Sequence, residues 1–155
     1  MASDFAAELE SVARACRAAA DTDLHRELTR GFRDAVEPVI PRIRDGLRPK
    51  LPDRYAEVLD ADLRLSVNVR TTGSDPGVSL TAQTRSGRGR KLSRLDSGLL
   101  THPVYGNREK WETQQVTPGW FTGPATDAEP QVVQQLEAAL ERVADEIDRK
   151  AAERA

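Results

Sequence analysis

The chain has 155 residues, with 23 Lys and Arg against 25 Asp and Glu for a formal net charge of −2. That length suits one domain with a buried core, and the near balance of charge excludes a global pull toward nucleic acid or an anionic membrane. No apolar run approaches the roughly 20 residues of a membrane-spanning helix, and one cysteine (Cys16) with two histidines excludes an intramolecular disulfide and a Cys/His zinc site.

The opening MASDFAAELE is acidic and carries no apolar signal run, so the chain is expected to be made and kept inside a cell. Phe5, Leu9, Val12, Ala13 and Cys16 recur at helical spacing, with Ser3 as N-cap, and predict an amphipathic helix over residues 1–20. Cys16 lies on the apolar stripe, where a thiol is a small buried hydrophobe. A polar break at Asp21-Thr22-Asp23 starts a second helical face, marked by Leu24, Leu28, Phe32, Ala35, Val36, Val39, Ile43 and Leu47. Pro38 and Pro41 interrupt it, and because each removes a backbone donor, a kink or break is expected near 37–41 within a helical segment spanning 21–50. His25 near the start is expected to be solvated, and Pro49 and Pro52 end the segment.

Residues 62–70 alternate apolar and polar, with Leu63, Leu65, Val67 and Val69 on one face, the pattern of a half-buried strand. A dense turn signal over 72–77 leads to a second alternation at Val78, Leu80 and Ala82, so the two strands are expected to form an antiparallel hairpin. Residues 85–94 then carry Arg85, Arg88, Arg90, Lys91 and Arg94 among glycines and no acid. Like charges at that density repel, so a mobile basic loop is expected. It is either a solvated connection or an arm that meets phosphates without reading sequence.

Residues 96–124 concentrate both tryptophans, Tyr105, Phe121 and three prolines between turn residues. Large aromatics so placed make either a core plug or a docking surface. Leu99 to Val104 and Trp111 to Val116 suit short strands, with Pro103 and Pro118 confining them to edges. Alternation places Trp111 with Thr113 and Gln115 and suggests inward packing at the sheet edge. Trp120 and Phe121 are adjacent and point to opposite faces, so one is expected to anchor the turn and the other to face a neighbour.

The last helix is expected over 126–152, starting at Thr126 or Glu129 with Pro130 in its first turn. Val132, Val133, Leu136, Ala139, Leu140, Val143 and Ile147 form its apolar stripe, and Glu137, Glu141, Asp145, Glu146 and Asp148 solvate the other face. The acidic helix and the basic loop would suit head-to-tail contact between identical subunits. Leu136, Leu140 and Val143 are expected to share one core with Leu63, Leu65, Val67, Val69 and Leu80. The pattern is that of an α+β domain: N-terminal helices, an antiparallel sheet of about three to four strands over 60–118, and a C-terminal amphipathic helix packed on the sheet.

No catalytic constellation assembles. The chain has no P-loop, Rossmann or nucleophile-elbow motif and no His-Glu-x-x-His. Asp96, His102 and Glu109 are near one another in sequence but sit among turns, and Ser86, Ser93 and Ser97 lie in or beside the basic loop. No enzyme activity, cofactor or metal is expected.

The run from Leu100 through His102-Pro103-Val104-Tyr105-Gly106-Asn107-Arg108, followed by Trp111, Gln114 and Val116-Thr117-Pro118-Gly119-Trp120-Phe121, resembles the neck or tail-completion family of long-tailed double-stranded DNA phages. The specific match covers the stretch 96–124, and the order of elements agrees over 20–150. Thr101 departs from the arginine common before the His-Pro, and helix 1–20 is a variable piece. The resemblance implies a structural virion protein of the neck, made in the host cytoplasm and assembled as a hexameric or dodecameric ring around the DNA channel. Its partners would be head-closure or stopper, tail terminator and tail tube proteins, with non-specific DNA contact and no membrane. The basic residues of 85–94 would face the channel, and His102, Tyr105, Arg108, Trp111, Trp120 and Phe121 would serve interfaces. The rival reading is a small cellular nucleic-acid-binding module that uses the basic loop.

Overall fold

Leu24, Leu28, Phe32, Ala35 and Val36 recur every three or four residues and are all buried, which sets the inner face of the first complete helix in the computed structural model, α1 (Thr22–Val36). The structure describes residues 11, 12, 14, 15, 22–71, 77–86 and 91–155. The expected N-cap Ser3 and the stripe residues Phe5, Leu9, Ala13 and Cys16 lie outside them, as do Arg88 and Arg90 of the basic loop. Val12 is described and packs against the α1 core.

The helical face breaks where Pro38 cannot donate. The last backbone hydrogen bond before it runs from the Glu37 amide to the Arg33 carbonyl, and α2 (Val39–Asp45) begins after the turn. Pro41 sits in the first turn of α2, where its missing N–H has no helical partner to lose. A helix absent from the sequence reading follows: α3 (Asp53–Asp62), with Pro52 as N-cap and Ala56 and Leu59 buried. Arg44 ties down its C-terminus, donating from Nη1 to the Asp60 carbonyl and from Nη2 to the Leu63 carbonyl, both at 2.9 Å. A cation at that end also complements the helix dipole.

The described residues form four strands, in two separate two-stranded antiparallel sheets instead of one. β1 (Leu63–Arg70) pairs with β2 (Gly77–Thr84). The Ser66 and Thr81 hydroxyls share a cross-strand hydrogen bond of 2.9 Å. At the open end the Arg85 amide donates to the Asp62 carbonyl, and the Asp62 carboxylate accepts from the Ser86 amide and hydroxyl. The basic segment is shorter than expected, because Leu92, Ser93 and Arg94 enter a short helix, α4 (Leu92–Asp96). β3 (Leu99–Val104) then pairs with β4 (Asn107–Gln115). The chain ends in α5 (Thr122–Arg154), which starts ahead of the expected 126–129. Pro124 occupies its first turn, and Pro130 lies inside it, leaving the Thr126 carbonyl without its usual donor.

The chain forms two compact units interleaved in sequence. Unit 1 comprises Met1–Pro38, Ser66–Thr81 and Glu129–Ala155, and unit 2 comprises Val39–Leu65 and Ala82–Ala128. In unit 1, Leu24, Leu28, Phe32 and Ala35 of α1 interdigitate with Leu136, Ala139, Leu140 and Val143 of α5, and Val69 and Val78 of the β1–β2 hairpin pack against them. The C-terminal helix thus covers a sheet as expected for the α+β class. The single core of the sequence reading is divided, however. Leu63, fully buried, belongs to unit 2, while Leu65, Val67 and Leu80 are only half-buried. A two-stranded ribbon has too little area to bury one whole face. His25 is half-buried instead of solvated, its Nε2 3.4 Å from the Thr71 hydroxyl.

In unit 2 the buried side chains are Val39, Ile43, Leu47, Leu51, Ala56, Leu59, Leu63, Leu95, Leu100, Trp120 and Ala128. Gly46 lets the chain pass close to Trp120 and Pro124: a Cβ there would lie 3.1 Å from Pro124 Cγ and 3.3 Å from the Trp120 carbonyl.

Candidate functional site

Unit 2 is built around a tie between two short sequence signatures. The Asp96 carboxylate accepts hydrogen bonds from the backbone amides of Phe121 (2.8 Å) and Thr122 (3.2 Å), and the Asp96 carbonyl accepts from the Gly119 amide (2.7 Å). A carboxylate at the N-terminus of a long helix both satisfies orphan amides and meets the positive end of the dipole. Gly98 (φ 92°) must be glycine, since a Cβ would lie 2.9 Å from the Val116 carbonyl. Lys50 adds a hydrogen bond from its ammonium to the Pro118 carbonyl (3.0 Å). Asp96→Ala is expected to destabilise the protein by about 1–3 kcal/mol, the range for a cap and for hydrogen bonds to a charged group. Asp96→Asn should recover part of it. A denaturant melt showing a loss under about 0.5 kcal/mol, the level of an ordinary surface change, would refute the tie.

From this base the β3–β4 hairpin extends. Its two-residue turn, Tyr105 (φ 48°) and Gly106 (φ 78°), has positive φ at both central positions, which matches the strand twist. Tyr105 stands fully exposed at the tip (103% of the reference area). Register is regular from Leu99↔Gln115 to Pro103↔Trp111 and then jumps to Val104↔Asn107, so residues 108–110 bulge from β4. The bulge is pinned internally: Asn107 Oδ1 accepts from the Glu109 amide, and the Trp111 indole N–H donates to the Arg108 carbonyl, 2.8 Å. Every residue of β4 is exposed. Trp111 therefore departs from the expected inward packing, since the two-stranded sheet offers that face no cover and 58% of the residue meets solvent.

Beside β3 lies a groove of about 580 Å³, bounded by Tyr55 of α3, by Lys91, Leu92, Arg94 and Leu95 at α4, by residues 99–103 and by Trp111. A second groove of about 430 Å³ shares Tyr55, Leu100 and His102 with the first and adds Pro52, Arg54, Val58 and Gln114. Together they present an apolar floor with cations at the rim. Arg54, Lys91 and Arg94 are exposed, and no carboxylate lines either groove.

The residues singled out by sequence separate accordingly. Lys91, Arg94, His102 and Trp111 come together at the grooves, with the His102 Nδ1 3.2 Å from the Pro103 carbonyl. Arg85 is exposed in the turn after β2, and Tyr105 and Arg108 are exposed on the hairpin. Trp120, expected to serve an interface, is 1% exposed and anchors the turn, with Phe121 half-buried edge-to-face against it at 5.6 Å. Asp96 is committed to the helix cap, so it forms no acid–imidazole set with His102 and Glu109. Sequence reasoning missed Arg54, Tyr55 and Val58, because α3 itself was missed. Its signal was Pro52-Asp53 followed by apolar residues at helical spacing, Ala56 and Leu59.

Among the described residues no three His, Cys, Asp or Glu side chains gather as a metal site. No described helix is long and apolar enough to cross a membrane. Comparison of the chain with protein-family models, with curated proteins and with solved structures gives no match.

Proposed function

We propose that the chain is a structural subunit of the neck of a long-tailed double-stranded DNA phage, one of a ring of identical copies that completes the tail around the DNA channel. The observation that carries this reading is the run from His102-Pro103 through Gly106-Asn107-Arg108 to Pro118-Gly119-Trp120-Phe121, which resembles the neck or tail-completion family. The physical character of the same run supports it. One part is turned inward as an anchor, and the other holds out Tyr105 and Trp111 on a hairpin with no covering layer. Exposed aromatics on a rigid element are what an interface uses for binding energy. Such a protein works by shape and contact: its partners are copies of itself and the head-closure, terminator or tube proteins on either side. Arg85, exposed after β2, supplies a cation for non-specific contact with phosphates.

The test is reconstitution. Particles assembled without the chain should carry filled heads and unjoined tails, and the purified protein should restore joining. Trp111→Ala should change the melt by less than about 0.5 kcal/mol yet lower the amount of protein that sediments with particles. If the wild-type chain never enters particles and instead binds random duplex DNA as a free monomer with a steep salt slope, it is a nucleic-acid-binding module and the neck reading falls.

A further inference from the structure

We infer that the cation-rimmed groove of unit 2 receives the acidic stripe of α5 from a second copy of the chain. The inference deepens the ring reading and rests on it only for closure of the ring.

The two surfaces complement each other in charge and in apolar content. Arg54, Lys91 and Arg94 rim a lining without carboxylates and have no ion-pair partner among the described residues. Trp111 and Val58, beside them, expose 58% and 49% of their surface. On α5, Glu137, Glu141 and Asp145 follow one another at four-residue spacing with Asp148 a further three on, all exposed and none ion-paired among the described residues. Val133, 40% exposed, lies one turn before them on the same stripe. At 1.5 Å per residue the stripe runs for roughly 22 Å.

An isolated helix would not favour that stripe, because like charges four residues apart repel. Of the bases on α5, Arg142 lies toward α1, its Nη2 3.8 Å from where a Cβ on Gly31 would sit, and Arg149 does not relieve the repulsion either. The Arg149 guanidinium is engaged by Glu146 and Glu153, and the hydrogen bond it donates to Glu146 together with both negative charges holds its pKa above the ordinary value. A row of cations from outside relieves the repulsion directly. Because groove and stripe are different surfaces, the contact is heterologous: each copy offers one of each, so copies add head to tail and form a ring when the rotation closes.

Charge reversal tests the pairing, with K91E/R94E altering the groove and E141K/D145K the stripe. All four positions are exposed, and circular dichroism checks that each variant folds. In sedimentation equilibrium the wild type should self-associate, less so as salt rises. Each variant alone should associate about tenfold more weakly or worse. An equimolar mixture of the two should recover association, since reversed groove then meets reversed stripe. A wild type that is monomeric at its highest soluble concentration, a mixture that fails to recover, or a K91E/R94E variant that associates normally would each overturn the pairing. So would a K91E/R94E variant that keeps self-association and loses binding to duplex DNA, which would assign the groove to phosphates. Particle incorporation separates the two readings. Entry of both reversed variants into particles at wild-type levels removes the pairing and leaves the neck assignment. A wild type that pairs through these surfaces but never enters particles removes the neck assignment and leaves the pairing.

Discussion

Trp120→Ala is expected to cost about 3–5 kcal/mol, the range for emptying a buried aromatic site, which is a large share of the stability of an ordinary domain. The residue is 1% exposed, and its surroundings are held from several directions: Gly46 passes close to its backbone, Asp96 binds the two amides that follow, and the Phe121 ring packs edge-on against the indole. With the backbone pinned on both sides, the site cannot collapse to fill the space. The indole N–H has no hydrogen-bond partner among the described residues. Trp120→Phe should therefore restore most of the loss, keeping an aromatic ring while omitting an unpaired donor. Far-UV circular dichroism across a denaturant series makes the measurement, because the substitution removes the main buried fluorophore. A loss under about 1 kcal/mol with particle entry abolished would return Trp120 to the docking surface.

Leu140→Ala is expected to cost about 2–5 kcal/mol. Leu140 lies in the unit 1 cluster with Leu24, Leu28 and Phe32 of α1 and is 2% exposed. Its neighbour Ala139 already lies against Gly31, where an added Cβ would be 3.0 Å from the Ala139 methyl. The two helices are in contact there and cannot close further into the gap, which favours the upper half of the range. Gly31→Ala is the control, as it forces the same helices apart and should destabilise without emptying any site. A Leu140→Ala loss under about 0.5 kcal/mol would place that side chain at the surface.

Local signals were read well from the chain. The 3.6-residue stripes of α1 and α5, the alternation in β1 and β2 and the break at Pro38 each depend on residues close in sequence, and each appears within a few residues of its expected place. The strands within residues 99–115 were legible for the same reason, but their pairing as a hairpin across Tyr105-Gly106, and the start of β4 at Asn107, came only with the structure. Alternation could not supply partners, however. It shows that a strand has two faces and leaves open what covers them, so one sheet of four strands and two sheets of two fit the same pattern equally. The structure settles that question with two hairpins, each in its own pairing. Burial of the aromatics was decided in the same non-local way. Trp111 and Trp120 both sit beside turns, yet only Trp120 meets residues from distant positions, Gly46 and the segment tied to Asp96, while the bulge turns Trp111 outward on an uncovered strand. The groove brings α3 to α4 and β3, which follow it some 30 to 50 residues later, so no periodicity could have announced it. The sequence by itself determined the long helices, the strands and which residues are chemically equipped to dock, while α3 and α4 emerged only in the structure. Tertiary structure alone decided which of those residues still face solvent, because burial depends on contacts that no local pattern encodes.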